Sequence, residues 1–265
     1  MPTVDSLLDA SPRELRLETE LLIAGALNWN RARVLAFGEH RLPDALVPKL
    51  LANLDRLKSG EPYAYIVGKQ EFYGLEFFVA PSVLIPRPDT ELIVDLAREL
   101  CSQAANVVDL GTGSGAIAVS LAHVRSDLNI TATDKSPEAL EIARLNAKQN
   151  NCGLHFKLSD WYSELQNAYD VILSNPPYIK ANDPHLPALA HEPQSALVAS
   201  EDGLADLAAI VKGAPSHLNP GGKLLVEHGY NQSAAVAALF AQRGFKKIEA
   251  HRDLAGRQRV TSGSL

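Results

Sequence analysis

One stretch narrows the possible folds more than any other: an apolar strand runs into three spaced glycines and then a helix. It reads Val107-Val108-Asp109-Leu110-Gly111-Thr112-Gly113-Ser114-Gly115-Ala116. Glycine tolerates positive φ and lets backbone pass close to a ligand. The helix start beyond it offers unpaired N–H groups and the positive end of the helix dipole. About 20 residues further on, Thr133-Asp134 ends the next strand, where a carboxylate can accept hydrogen bonds from ribose hydroxyls. The spacing Gly111-x-Gly113-x-x-Ala116 also satisfies the dinucleotide pattern, so a nicotinamide dinucleotide stays open at this point. Asp109, two residues before the first glycine, tilts the choice. A carboxylate there suits a ligand bearing positive charge, such as the ammonium and sulfonium of S-adenosylmethionine, and sits poorly beside a pyrophosphate.

Around this stretch, strands and helices alternate. The pattern predicts strands at 106–110, 129–133, 155–158, 170–174 and 222–227, with helices at 89–100, 115–122, 137–150, 205–218 and 233–242. Such alternation predicts an α/β domain with a mainly parallel sheet covered by helices on both faces. Two closing strands, 245–251 and 258–262, are joined by only Arg252 to Arg257, too short for a helical crossover, so they should pair antiparallel.

The first third reads differently. Helical spacing runs over 12–28 after a Ser11-Pro12 start suited to N-cap and N1, then over 31–37 and over 43–57, with Leu46, Leu50, Leu54 and Leu57 on one stripe. No strand signal precedes Glu71. Residues 1–68 are therefore expected to form a small helical bundle. Residues 69–88 follow as a connector with a hairpin over 71–79, rich in Phe72, Tyr73, Phe77 and Phe78. Pro86-Arg87-Pro88 breaks regular structure, and 89–265 form the α/β domain.

Composition removes several classes of function. The chain has 265 residues, 46% hydrophobic and 21% charged, which is ordinary for a globular protein. Its net charge of −6 argues against bulk gripping of nucleic acid, where phosphate neutralisation supplies most non-specific affinity. Two cysteines, Cys101 and Cys152, make no disulfide framework and match no metal spacing, and no metal is expected. No apolar run is long enough to span a membrane, and the start lacks a signal-peptide pattern, so a cytoplasmic protein is expected.

The strand Val171-Ile172-Leu173-Ser174 ends in Asn175-Pro176-Pro177-Tyr178. Ligands of open α/β sheets bind beyond the carboxyl ends of the strands, so this tetrapeptide falls where chemistry is expected. Two prolines hold the loop stiff. The Asn175 side-chain oxygen and the Pro176 carbonyl can both accept hydrogen bonds from one planar NH2 group. An amide or aryl amine nitrogen is a poor nucleophile because its lone pair is delocalised. Two aimed acceptors stabilise positive charge developing on it and align it with a methyl donor. Tyr178 can pack on the substrate plane or contact a cationic donor.

Together with Gly111 to Gly115, Asp134 and Asp160-Trp161, this loop resembles the S-adenosylmethionine-dependent methyltransferases that modify planar nitrogens. The chain is most similar to the bacterial peptide chain release factor glutamine methyltransferases. Further matching segments are Glu71-Phe72-Tyr73-Gly74-Leu75, Leu84 to Glu91 (Leu-Ile-Pro-Arg-Pro-Asp-Thr-Glu), Glu192-Pro193 with Ala196-Leu197, and Val226-Glu227-His228-Gly229. The resemblance implies a class I methyltransferase fold, a seven-stranded Rossmann-like sheet with a small helical N-terminal domain. It implies that Asp109 and Gly111, Thr112, Gly113, Ser114 and Gly115 line the cofactor, Asp134 binds its ribose, and Asp160 or Trp161 flanks the adenine. Asn175, Pro176, Pro177 and Tyr178 would hold the glutamine of a Gly-Gly-Gln motif, with Asn175, Pro176 and Tyr178 catalytic and Arg87 and Glu91 near the substrate. The partners it implies are class 1 release factors, met by a monomer, with no direct nucleic acid and no membrane. Methylation of adenine N6 or guanine N2 in nucleic acid is the alternative, since the same loop serves exocyclic amines. One departure is Ala190-His191, where the family often carries Arg or an aromatic residue.

Other candidates read as structural. His228 is expected to be a satisfied histidine and Glu227 a supporting carboxylate. Asp183, His185, His191 and Glu192 are expected to lie in a mobile polar lid, and Arg252, Arg257 and Arg259 on a solvated edge.

Overall fold

The N-terminal leucines are gathered into a core of their own. The computed structural model describes residues 2–265 and divides into two units, residues 1–68 and 69–265. The first holds five helices: α1 (Val4–Asp9), α2 (Arg16–Leu27), α3 (Arg31–Ala36), α4 (Val47–Lys58) and α5 (Tyr63–Val67). Leu50, Leu54 and Leu57 of α4 pack with Leu22 and Ile23 of α2 and Leu8 of α1. Each such burial stabilises by roughly 1.5–3 kcal/mol. Two of the helices were not anticipated, because α1 and α5 are too short to show a period. Ser11 is not the N-cap of α2 either. Its hydroxyl donates back to Leu7 O at 3.0 Å, and a 3₁₀ turn, Arg13–Leu15, precedes the helix.

The second unit opens with the hairpin β1 (Lys69–Phe72) and β2 (Leu75–Phe78), starting two residues earlier than the aromatic run marks. Tyr73 and Gly74 both take positive φ, 55° and 74°, as a two-residue hairpin turn with the right twist requires. After a 3₁₀ turn at Pro88–Thr90 comes α6 (Glu91–Leu100). Then follow β3 (Asn106–Leu110), α7 (Ala116–Val124), β4 (Asn129–Asp134), α8 (Pro137–Gln149), β5 (His155–Leu158) and β6 (Tyr169–Ser174). A short excursion carries β7 (Ile179–Lys180), α9 (Gln194–Leu197), β8 (Val198–Ala199) and the turn α10 (Ser200–Gly203). The chain closes with α11 (Ala205–Gly213), β9 (Leu218–Glu227), α12 (Ser233–Gln242), β10 (Lys246–Arg252) and β11 (Gln258–Ser264). Leu218, expected at a helix end, instead starts β9, because Pro215 lies in the 3₁₀ turn that stops α11.

The main sheet has seven strands in the order β10-β11-β9-β6-β3-β4-β5. Strands β5, β4, β3, β6 and β9 run parallel, and β11 is antiparallel to both neighbours, as the short last connection demands. Alternate strand residues face opposite cores. Val107, Val171 and Leu225 join α6 and α7 on one face, while Val108, Ile172 and Leu224 join α11 and α12 on the other. That two-sided burial explains why these strands read as continuous apolar runs.

The order of strands reverses between β3 and β6: the chain proceeds from β3 outward to β4 and β5, then returns to β6 on the other side. The turns leaving β3 and β6 therefore splay apart and open a crevice at the carboxyl edge. No helix among the described residues is long and apolar enough to cross a membrane.

Candidate active site

The glycine turn leaves β3 with φ of 70° at Gly111, 56° at Gly113 and 84° at Gly115, a left-handed path that side chains resist. Three hydrogen bonds hold it open. Thr112 N donates to Thr133 O at 2.8 Å, Thr112 Oγ1 donates to Asp109 Oδ2 at 2.6 Å, and Gly113 N donates to Asp134 Oδ2 at 2.9 Å. The other oxygen of Asp134 accepts from Ser136 N at 2.9 Å. Ser174 Oγ donates to Leu110 O at 2.8 Å and joins the ends of β6 and β3.

A cavity occupies the crevice. Gly111 to Ser114 and Asp134 wall it on the β3–β4 side, and Asn175 and Pro177 wall it on the β6 side. Asp160 and Trp161 lie at its rim. Trp161 takes φ 48°, and a Cβ at Gly111 would crowd its ring at 3.1 Å, beyond the strain that φ of 70° already imposes on a side chain.

Other residues singled out from sequence do not line the cavity. Gly115 is a packing glycine, since a Cβ there would meet Ala143 Cβ at 3.2 Å where α7 crosses α8. Asp109 is buried beneath the turn, and burial pushes its carboxyl up to about 7 against the opposing Thr112 hydrogen bond. Its Oδ1 is buried without a partner among the described residues. Tyr178 turns inward, and its hydroxyl donates to Glu227 Oε1 at 3.2 Å. Glu91 accepts from Tyr73 N at 2.9 Å and ties α6 to the hairpin turn. Arg87 is ion-paired with Glu192.

That pair revises the polar lid. Glu192 is buried, bonded to Arg87 and to Ile85 N at 3.2 Å, and so staples the excursion to the Pro-Arg-Pro segment. His228 is a satisfied buried histidine, with Nδ1 at 2.9 Å from Gly229 O and Nε2 at 2.9 Å from Thr261 Oγ1. Arg259 is largely buried and salt-bridged to Asp89 at 2.8 Å and Asp253 at 3.0 Å, so it does not belong to a solvated edge.

Sequence reading missed two positioning side chains. Thr90 lines the cavity, and its Oγ1 accepts from Asn175 Nδ2 at 3.1 Å. Asn146 on α8 bonds Phe78 N at 2.6 Å, Phe78 O at 2.9 Å and Ser114 O at 2.8 Å, pinning the glycine turn to the end of β2. Its signal was present: an amide within the buried stripe Leu140, Ala143, Ala147.

The sheet order, the glycine turn opposite Asp134 and the Asn-Pro-Pro-Tyr loop define a class I S-adenosylmethionine-dependent methyltransferase. The Methyltransferase small domain family model matches residues 89–196, and the PrmC N-terminal domain model matches residues 3–68. The release factor glutamine methyltransferase of Burkholderia pseudomallei (strain K96243) is 44% identical over 99% of this chain and 96% of its own. That of Escherichia coli (strain K12) is 42% identical over 94% of this chain and 91% of its own. Among solved structures, a methyltransferase from Pyrococcus furiosus superposes with TM-score 0.57 at 19% identity, covering 79% of this chain and 96% of that one. The T. thermophilus 16S rRNA N2 G1207 methyltransferase gives 0.56 at 18% identity, covering 74% of this chain and 49% of that one. Those two share the fold. The chain belongs to the release factor glutamine methyltransferase family.

Proposed function

We propose that this chain methylates N5 of a glutamine side chain, that of the Gly-Gly-Gln motif of peptide chain release factors, using S-adenosylmethionine. The observation that carries the reading is the orientation of Asn175. With Nδ2 engaged by Thr90, the amide's oxygen is left as its acceptor at the cavity wall. An acceptor there matches a substrate that presents an NH2 group.

S-adenosylmethionine supplies an electrophilic methyl on a sulfonium, and the residues present fit it. Gly111 to Ser114, Asp134, Asp160 and Trp161 line the cavity; in this reading the glycine turn would take its methionine part, the Asp134 carboxylate would accept from the ribose hydroxyls, and Asp160 and Trp161 would flank the adenine. Asn175 Oδ1 and the Pro176 carbonyl hold the glutamine NH2 and favour charge building on nitrogen. Pro177 stiffens the wall, and Tyr178 anchors the loop from below. Methylation turns the nitrogen cationic, and its extra proton leaves to water. No histidine is needed, and the buried His228 has both ring nitrogens engaged.

A lone glutamine offers little surface, so selection needs a second contact. We assign it to the unit 1–68, whose Leu17, Leu35, Phe37 and Leu51 are exposed. Docking there contributes binding energy remote from the chemistry and presents the target loop. In this reading the enzyme works as a monomer in the cytoplasm, beside its release factor substrate and without nucleic acid, in keeping with its net charge of −6.

Mass spectrometry of release factor incubated with enzyme and labelled cofactor tests the function. One added methyl on the Gly-Gly-Gln glutamine is expected; an unmodified glutamine with a folded, cofactor-binding enzyme overturns it.

A further inference from the structure

Gln232, the residue before α12, has no part in the transfer described above, yet its side chain joins three separate loops at the carboxyl edge of the sheet. Its backbone is built into the helix start: Gln232 N donates to Gly229 O at 2.9 Å, and Val236 N donates to Gln232 O at 3.0 Å. The side chain is buried. Its Oε1 accepts from Gly229 N at 2.8 Å, in the turn after β9. Its Nε2 donates to Tyr178 O at 3.0 Å, at the end of Asn-Pro-Pro-Tyr, and to Gly203 O at 3.3 Å, before α11. A backbone N–H only donates and a carbonyl only accepts, so these partners fix the orientation of the amide. Turned over, it would lose all three bonds.

The turn that supplies Gly203 is strained. Glu201, Asp202 and Gly203 take φ of 53°, 58° and 85° in succession, and such left-handed backbone at non-glycine residues persists only where its surroundings hold it. Here the turn is pressed against the end of the Asn-Pro-Pro-Tyr loop: a Cβ on Gly203 would stand 2.2 Å from Tyr178 O and 2.9 Å from Gln232 Nε2. Pairing of Ile179 with Val198 and of Lys180 with Ala199 brings Tyr178 and Gly203 together as the two ends of one excursion. Gln232 ties that neck. On one side of it lie Asn175 and Pro177, and within the excursion lie Pro193, Ser195 and Ala196, all on the cavity wall.

We propose that Gln232 is a positioning residue for methyl transfer: by bonding Tyr178 O and Gly203 O from the start of a packed helix, it fixes the end of the Asn-Pro-Pro-Tyr loop and with it the place of the Asn175 acceptor. Gln232 does not line the cavity, so it acts through the loop. Pro176 and Pro177 transmit the constraint, since their fixed φ leaves the chain between Asn175 and Tyr178 few ways to bend. The Asn175 side chain is held at the other end by Thr90 at 3.1 Å. Releasing Tyr178 lets the acceptor drift from the nitrogen it serves, and a misplacement of about 1 Å costs on the order of a hundredfold in rate. This rests on the reading of Asn175 as the acceptor of the glutamine NH2.

Full-length Gln232→Met, which fills the same space without the NH2, tests this through two readouts. In kinetics it should lower kcat by about a hundredfold, with KM for release factor and affinity for adenosylhomocysteine changed by less than about threefold. Added to Asn175→Ala, whose acceptor is already gone, it should cost less than about threefold more, whereas a merely structural role makes the two losses multiply. In nitrogen-labelled protein, the Asn175 side-chain NH2 signals, identified by their absence in Asn175→Ala, should shift and exchange faster with water in Gln232→Met. Wild-type kcat, losses that multiply in the double variant, or unchanged Asn175 signals each overturn the assignment. If Gln232→Met does not fold, Gln232→Ala takes its place under the same expectations, and wild-type kcat there overturns the assignment. If the wild type methylates no release factor while the Asn175 signals respond as stated, the functional reading fails and the hold of Gln232 on the loop stands.

Discussion

Asn175 Nδ2 donates to Thr90 Oγ1 at 3.1 Å, joining the loop after β6 to the turn before α6 across 85 residues of chain. In the proposed reading, that contact decides which end of the amide meets the substrate. Asn175→Ala removes the aimed acceptor and should lower turnover by roughly 10²–10³, the usual loss for one preorganised polar group acting on developing charge. Affinity for S-adenosylmethionine should change far less. Near-normal turnover in steady-state assays would show that the Pro176 carbonyl suffices.

Asp134 accepts from Gly113 N and Ser136 N, and two variants test its proposed ribose contact. Asp134→Ala should weaken S-adenosylmethionine binding by on the order of 1.5–3 kcal/mol through unpaired ribose hydroxyls. Asp134→Asn keeps an acceptor for Gly113 N or Ser136 N, so it should fall between alanine and wild type. Calorimetry showing wild-type affinity in a folded Asp134→Ala would remove this carboxylate from the site.

Asn146→Ala strands three backbone groups, the half-buried Phe78 N and Phe78 O and the buried Ser114 O. At about 1–3 kcal/mol for a buried group left unsatisfied, with partial relaxation, the loss of stability should reach roughly 2–4 kcal/mol. Because Ser114 belongs to the glycine turn, cofactor affinity should fall as well. Denaturant unfolding with no shift in midpoint would contradict this pinning role.

Asp109 makes stability depend on pH in a definite direction. Its carboxyl titrates near 7 in the fold against 3.8 ordinarily, the shift caused by burial. Between those values the folded chain keeps a proton that the unfolded chain has lost. Its contribution is therefore fully present below about 4 and declines as pH rises through 7. Asp109→Asn removes the titration, so the variant's Tm minus the wild-type Tm should increase from pH 5 to pH 8. A constant or decreasing difference in thermal melts would show that Asp109 is ionised in the folded protein.

The unit 1–68 has its own apolar core, and so does 69–265, so removing the first leaves the core of the second whole. Deleting residues 1–68 should leave cofactor binding nearly intact and sharply reduce kcat/KM on intact release factor. A short Gly-Gly-Gln peptide should lose much less. Equal losses on both substrates would leave the helical unit a purely supporting role.

Much of this protein was legible in its sequence because the signals concerned are local. Apolar runs broken by turn residues mark β3, β4, β6 and β9, and the short link from Arg252 to Arg257 dictates an antiparallel end to the sheet. The glycines of 111–115 must bend as they do because side chains resist the left-handed path. Asn175-Pro176-Pro177-Tyr178 declares an acceptor held on a stiff loop. What tertiary structure alone decided are the contacts that aim those groups. Thr90 reads from sequence as the start of a helix over 89–100, Glu192 as part of a polar lid, and Asn146 as one more residue of the helix over 137–150. Each acquires its role from a partner 32 to 107 residues away: Asn175 for Thr90, Ile85 and Arg87 for Glu192, Phe78 and Ser114 for Asn146. Side-chain period and turn chemistry carry no information about such distant pairs. They form only when the fold brings the partners together and buries at least one of them, so that a hydrogen bond between them replaces the water that group has lost.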